Sequence, residues 1–540
     1  MNHYVFRKHD NVGAPAAEHD EQFLADCFVD TGDIKLLLDR KNPKRIIVGR
    51  TGSGKTALLY HISQSDNHVV QLSPHDLSLN FIATNKVIAF FEEAGVNLSP
   101  FYVLLWKHLL VVELIKNKYQ IKDESSYDKF KRSISAIVRK KDRNKELALD
   151  YFDKWGEKFW LTTEQRIHEL TKRVEESLTA GADVKFKGLS LNVESAKNLT
   201  QEERTEIKEH GLDAVSKVQI RELDNMLTVL EENIFDDNKD PYYVSIDMLD
   251  EDWADERVKF KLIRSLIDVV NRFKQLSNVK VILAIRHDLL YKVHHLESAS
   301  GFQEEKYKAL YLNIKWNKDD LVKIVELRIN KLIKHHYTKE TVCFKDVFPA
   351  HVDTKDTFDY MLERTFFRPR DIIMFVNECL ELCAGQPKIT AGVIKTAEGN
   401  YSVERLQSLS YEWKTLLPDL SHTSRLLFGM KDRFEVSQIT QDYLHSKFEE
   451  IACDLDKGSS DPITKFLYGL YGDGGNFESA RSYILREFFA IGLVGIKTGP
   501  TEPLCWTQVN NPRLVAGQIR PSSTVVIHPM FHRALGIKLA

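Results

Sequence analysis

An α/β domain on a parallel sheet, carrying a phosphate-binding loop, interrupted by a helical insertion and followed by helical modules, is the fold class this 540-residue sequence predicts. Three observations carry it. "GRTGSGKT" at 49–56 follows the apolar run "RIIV" and opens the helical pattern "KTALLYHIS". Apolar runs return at 242–249, 279–286 and 310–316 with helical patterns between them, the alternation that makes a parallel sheet. Residues 80–235 separate the two blocks and read as mainly helical and highly charged.

Taken in order, residues 1–40 read as a helical lead-in, with Phe23, Leu24, Cys27 and Phe28 on one stripe. Residues 41–79 and 236–316 form the expected core domain: strands at 45–49, 68–72, 242–249, 279–286 and 310–316, and helices at 55–63 and 257–276. Within the insertion, "QIRELDNMLTVLEENIF" has helical spacing, "VKFKGLSLNV" (184–193) alternates like a small hairpin, and "VRKKDRNK" (138–145) reads as a solvated helix face. Residues 317–410 read as an all-α lid. Residues 411–540 carry helical runs "SRLLFGM", "SQITQDYLHSKFEEI" and "ESARSYILREFFAIG". Strand-like "LVGIK", "PLCWTQ" and "STVVIHP" follow, the outline of a winged helix-turn-helix.

A net charge of −3 excludes a global basic field. None of the six cysteines forms a C-x-x-C pair, and Cys379 and Cys383 share one helix face, so a reduced, cytoplasmic protein without structural zinc is expected. The N-terminal stretch has no apolar signal region. The most apolar run, 101–115, includes Lys107, His108 and Glu113 and reads as a buried helix, with no membrane partner expected.

The loop fits G-x-x-x-x-G-K-[ST] in full. Glycines at 49, 52 and 54 let the backbone bring its N–H groups, with those of Arg50, Thr51, Ser53 and Ala57, onto phosphate oxygens. Lys55 is placed to reach the β- and γ-phosphates of ATP, and the Thr56 hydroxyl to bind Mg²⁺. Asp247 ends the "YYVSI" run and is the expected acid for the metal. Asp250 or Glu251 is expected to orient the attacking water, with a capping acid cluster as the competing explanation. Arg286, just past the "VKVILAI" run, reads either as a γ-phosphate sensor or as the ion-pair partner of Asp288. "FFRPRD" opens a lid helix, so Arg368 or Arg370 is expected at the phosphates. "NKDD" at 317–320 fits the guanine motif N-K-x-D, but Asn317 with Asp320 also makes a helix cap.

"IVGRTGSGKTALL", "SIDMLDEDW", "KVILAIRHDLL", "EEKYKALYLNIKW" and "FFRPRDIIMFVNECL", in that order, resemble a family of bacterial P-loop ATPases with an I-D-x-L-D-E-D-W Walker B, similar to AAA+, STAND, KAP and origin-recognition-type ATPases. The resemblance implies an AAA+/STAND-like α/β P-loop NTPase with a lid and a C-terminal winged helix. It also implies a switch ATPase that binds ATP and Mg²⁺ and hydrolyses slowly, in a setting of bacterial signalling or anti-phage defence. It places Walker A on Gly49–Thr56 and Walker B on Asp247 with Asp250 and Glu251. Met248 stands where many AAA+ enzymes have an acid. The expected partner is another protein or a second copy. The alternative is an ATP-dependent DNA-binding or loading protein of the origin-recognition type. On that reading Arg481, Arg486, Ser479 and Tyr483 of the 478–492 helix meet DNA, although 411–540 balances 14 Lys/Arg against 14 Asp/Glu.

Overall fold

Continuous apolar runs with no polar face make strands that must be covered on both sides, and three such runs with two shorter, partly exposed strands form one all-parallel sheet in the computed structural model. β1 (Ile46–Gly49), β2 (His68–Leu72), β3 (Tyr242–Ile246), β4 (Val279–Arg286) and β5 (Tyr311–Asn313) lie in the order β2-β3-β4-β1-β5. β1 and β3 are buried throughout, and β4 along all but its last residue. The structure describes residues 5–64, 68–130 with gaps at 75–78, 80, 81, 83 and 124, then 132, 171–172, 175–176, 178–179, 191–217, 230, 235, 241–295, 304–336, 341–510 with a gap at 473, and 514–539. The chain divides into two compact units, 30–315 and 1–29 with 316–540.

In the first unit, α1 (Lys55–Ser63) crosses from β1 towards β2. Then come α2 (Lys86–Glu93), α3 (Ser99–Tyr119) and α4 (Gln201–Lys217), followed by α5 (Glu256–Arg272) between β3 and β4 and α6 (His287–His295) between β4 and β5. α3 contains the apolar run read as a buried helix. It packs on α5, where the buried Trp106 indole donates to the Leu262 carbonyl at 2.9 Å. No helix among the described residues is long and apolar enough to cross a membrane. Position 193 of the expected hairpin opens a short helix, Val193–Lys197, and 184–190 lie outside the described residues. So do 138–145 and most of 219–235.

Polar residues are also buried inside the sheet, Ser245 on β3 among them. Lys280 on β4 is fully buried, and its ammonium donates to the carbonyls of Leu36, Asp39 and Asn42 at 3.0, 2.7 and 3.3 Å. The Tyr243 hydroxyl donates to Leu38 O at 2.7 Å. Together they satisfy carbonyls at and beyond the end of the short helix Asp33–Leu38, which has no later turn to receive them.

The second unit begins with the N-terminal segment. Phe6 exchanges backbone hydrogen bonds with residues 385 and 386, Val12 donates to Asn377 Oδ1 at 2.9 Å, and the Arg328–Asp20 pair closes at 2.5 Å in the interior. Of the expected stripe, Leu24 and Cys27 are buried, while the helix itself is only Glu21–Asp26. Gly13 has φ 99, and a Cβ there would lie 2.3 Å from Asp20 Oδ1, so this turn admits only glycine.

α7 (Lys318–His336) follows, then a two-stranded β6 (His351–Val352) and β7 (Lys355–Asp356), α8 (Thr357–Leu362), α9 (Pro369–Leu382) and the long α10 (Ala391–Glu412). Pro369 takes the first turn of α9, where no amide donor is needed. Beyond α10 lie β8 (Arg433–Glu435), α11 (Gln441–Ile451), α12 (Pro462–Gly472), α13 (Phe477–Ile491), β9 (Val494–Lys497) and β10 (Thr524–Ile527). The three strands form an antiparallel sheet, β8-β10-β9. The strand expected from "PLCWTQ" is reduced to one bridge, Ile496 to Cys505. The third strand is β8, which precedes the helices. "SRLLFGM" holds one single turn, Ser424–Leu427, and another, Leu420–Thr423, precedes it.

Candidate functional site

In a parallel sheet, ligands are met at the carboxyl ends of the strands, where the chain order reverses. β1 stands at that reversal, between β4 and β5. Its last residue, Gly49, is in register with Arg286, the last residue of β4. Asp247 follows the end of β3. Three of the residues expected from sequence are therefore presented from adjacent strand ends.

The loop between β1 and α1 is shaped by its glycines. A Cβ on Gly49 would meet Ser53 Oγ at 2.2 Å, and Gly52 and Gly54 have φ 74 and 95. Such angles cost an ordinary residue about 1–2 kcal/mol. Gly54 then caps α1, whose first N–H groups and positive dipole end face the loop. The Lys55 ammonium lies across the loop and donates to the carbonyls of Gly49 and Arg50 at 3.2 and 3.1 Å. A phosphate oxygen is a better acceptor than either carbonyl.

The Thr56 hydroxyl hydrogen-bonds the Asp247 carboxylate. Burial pushes the Asp247 carboxyl above the usual carboxylate range, against the opposing pull of the Met248 amide, Thr56 and Lys55. Hard oxygen donors side by side are what Mg²⁺ selects. The residues fit a magnesium–nucleotide: a glycine cradle, a lysine over it, and a hydroxyl touching a carboxylate at its edge.

The segment after Asp247 turns away from the sheet. Met248 is a non-glycine residue at φ 61, and its amide donates back to Asp247 Oδ1 at 2.8 Å. Leu249 and Trp253 are buried, and the Trp253 indole donates to Leu249 O at 3.0 Å. The tryptophan of the D-E-D-W motif is thus a core plug that fixes the loop. Asp250, Glu251 and Asp252 point outward. Arg286 makes a two-pronged bond to Asp288, at 2.9 and 2.6 Å, and donates its remaining arm to Asp250 at 3.1 Å. The ion-pair reading of Arg286 is present in full, and Asp250 is drawn into it. Lys259 on α5 donates to Glu251 O at 3.1 Å, and Lys292 on α6 lies 3.9 Å from Glu256. Sequence reasoning missed both lysines, since a helix lysine carries no sign of which loop it will meet.

The other expected arginines belong to the 316–540 unit. Arg368 is buried, bonded to Asp371 at 3.0 Å and 3.6 Å from Glu412. Arg405 meets the other oxygen of Asp371 at 3.3 Å. Burial alone would raise the Asp371 carboxyl. The two guanidiniums and the Phe366 amide outweigh it and hold it below the usual range. Arg370 donates to Pro15 O at 3.1 Å. Asn317 accepts the Asp320 amide at 2.9 Å, the helix cap that competes with the guanine motif. Arg481 is buried against Ile439 O and Glu478, so it does not face outward as a DNA contact would require. Arg486 stacks on Tyr483, its guanidinium 4.2 Å from the ring. Among the described residues no cluster of three or more His, Cys, Asp or Glu side chains suits a metal ion.

Residues 319–410 match the family model of the FunZ-associated C-terminal helical domain. A putative transposon gamma-delta 80.3 kDa protein of Escherichia coli K12 is 20% identical over 550 residues, which cover 99% of this chain and 68% of that protein. Two solved structures align along most of the chain. A Walker-type ATPase of Pyrococcus abyssi is 12% identical with a TM-score of 0.33, over 94% of this chain and 98% of its own. The ORC2 protein of Aeropyrum pernix is 11% identical with a TM-score of 0.33, over 98% of this chain and 93% of its own. The fold itself follows from the coordinates. A parallel sheet, a glycine-rich loop between β1 and α1, and an acid at the end of β3 make the 30–315 unit an α/β P-loop NTPase, the class to which AAA+ and origin-recognition-type ATPases belong.

Proposed function

We propose that the protein is an ATP-driven switch, with Mg²⁺, whose nucleotide state is reported by the helical and C-terminal modules of its second unit. The observation that carries this is the contact of Thr56 with Asp247 beside the Lys55-spanned loop. Bound Mg²⁺ would supply charge neutralisation at the phosphates. Lys55 would leave the two loop carbonyls for the phosphates, Asp247 and Thr56 would hold the metal, and the loop amides would fix the phosphate chain. Asp250, which Arg286 engages, and Glu251, exposed on the same loop, are the residues that would orient water. Arg286 then acts as a positioning residue through Asp250. Of the two lid arginines, Arg368 is committed to Asp371 and Glu412, and Arg370 donates to Pro15 O.

The module of α11, α12 and α13 with the β8-β10-β9 sheet reads as a winged helix. This keeps open a second reading, an ATP-dependent DNA-binding protein. The likeness to a protein named for a transposon suits a role in the traffic of mobile elements, as does the resemblance to defence ATPases. Turnover by wild type, Lys55→Ala and Glu251→Gln, with and without duplex DNA, tests both readings. Slow turnover lost in both variants and indifferent to DNA supports the switch. Turnover raised by DNA, with a binding constant that falls as salt rises, moves the conclusion to the second reading. Wild type that neither binds nor hydrolyses ATP would sink both.

A further inference from the structure

The loop that carries Arg368 and Arg370 also touches the C-terminal sheet, within one compact unit. Its shape is fixed from inside. The Phe366 amide donates to Asp371 at 2.9 Å, the Phe367 amide to Thr365 Oγ1 at 3.1 Å, and Phe367 is held at φ 53. Phe366 is buried. The Arg368 guanidinium lies 4.9 Å from one side of its ring, and His528 lies edge-on at 4.9 Å with Phe531 at 5.8 Å. His528 packs edge-on against Trp506 at 5.0 Å. Trp506 in turn lies so close over β9 that a Cβ on Gly495 would sit 2.7 Å from the indole. One unbroken line of rings joins Arg368 to the sheet.

A second line runs beside it through α10. Ser402 is fully buried; its hydroxyl donates to Met530 O at 2.6 Å and accepts the Ala534 amide at 3.0 Å. One turn earlier, Glu398 accepts the Tyr360 hydroxyl at 2.5 Å and the Arg364 guanidinium at 2.8 Å, and lies 3.7 Å from Arg533. The turn 528–534, directly after β10, is therefore held by ring packing on one side and by a two-way hydroxyl on the other. Packed interiors shift between discrete arrangements rather than deforming smoothly. A displacement of loop 365–371 cannot leave the 528–534 turn where it is.

We propose that loop 365–371 and turn 528–534 form a relay that passes the state of the arginine-bearing loop to the C-terminal sheet, with Phe366 and Ser402 as its positioning residues. The relay rests on the ATP-switch reading and names the parts that make it a switch. It predicts that the sheet responds to nucleotide although no residue of the sheet need touch it.

Hydrogen exchange of the full-length protein with and without Mg·ATP tests this, on wild type, Phe366→Leu and Ser402→Ala. The leucine keeps the site apolar, and the alanine removes only the two hydroxyl bonds, so each covers for misfolding of the other. Wild type should change protection in 524–537 on adding Mg·ATP. The variants should bind ATP within about twofold of wild type while that change shrinks roughly fivefold or more. A wild-type-sized change in both variants overturns the relay. So does a wild type that binds ATP and responds at 365–371 but not at 524–537. A wild type that binds no ATP fails the switch reading itself, and direct nucleotide titration tells the two failures apart.

Discussion

Two arginine clusters invite comparison: Arg286 with Asp288 and Asp250 at the end of β4, and Arg368 with Asp371, Arg405 and Glu412 at the start of α9. Both pair a guanidinium with carboxylates at a strand or helix end, and in sequence they look alike, "AIRHD" and "FFRPRD". Exposure separates them. In the first, the side chains of Arg286, Asp288 and Asp250 are 15%, 8% and 36% exposed; in the second, Arg368 and Asp371 are 4% and 0% exposed. The first cluster is graded, with a sealed end and an end open to solvent. The second is closed on all sides and serves the helical unit's interior. An arginine motif thus locates a charge, and only the surroundings decide whether that charge can act on a ligand.

The strongest way to break the comparison is to remove one partner from each cluster. Asp371→Asn leaves two guanidiniums buried against one weak acceptor, and should cost about 3–5 kcal/mol in urea unfolding of the second unit. Arg286→Ala removes a partly exposed pair and should cost only about 1 kcal/mol of stability, yet slow turnover roughly tenfold to a hundredfold by loosening Asp250 and its loop. If Arg286→Ala destabilises as much as Asp371→Asn with turnover per folded molecule unchanged, the two clusters are alike and the comparison fails.

Acid titration sharpens the same contrast. The Asp371 carboxyl is held below its unfolded value, so its contribution is complete above about pH 4 and is lost as pH falls through the lower folded value. Wild type should show a steep loss of stability below about pH 4 that Asp371→Asn lacks, measured by melting temperature against pH. A rise of the same sign, at higher pH, belongs to Lys280. Burial, then Arg45, lowers its ammonium to about 7. The folded state there binds fewer protons than the unfolded chain between about pH 7 and 10, so stability should rise across that window, and Lys280→Met should flatten the rise. A slope unchanged in Lys280→Met would show that the three carbonyls around the ammonium keep it charged.

Much of the sheet was legible in advance, for a physical reason. A strand buried on both faces must be apolar throughout, and "RIIVG" and "VKVILAIR" announce β1 and β4 without further help. The phosphate loop was equally plain, because its glycines are demanded by backbone angles and by the contact of Gly49 with Ser53. The all-α reading of 317–410 covered the long α10 without showing its face, since its buried side carries Glu398, Ser402 and Arg405, which read as polar surface. β8 is three residues long, too short to show a period. Arg481 looked like an outward contact on α13, yet it points in, because Ile439 O and Glu478 satisfy it there. At the site, the division of labour among the carboxylates after Asp247 could not be read from "DMLDED". It depends on Arg286, Lys259 and Lys292 arriving from three later elements.

The N-terminal segment sets a timetable for synthesis. Asp20 waits for Arg328, 308 residues later, and Val12 for Asn377, 365 residues later. At about 5–20 residues per second on the ribosome, these partners emerge roughly 15 to 75 seconds after the segment itself. In that interval the whole P-loop unit has left the ribosome, while Phe6, Val12 and Val29, all destined for burial, remain uncovered. The nascent chain therefore carries this uncovered apolar segment throughout the period when the 30–315 unit folds, and a chaperone that shields short apolar segments would be its natural companion.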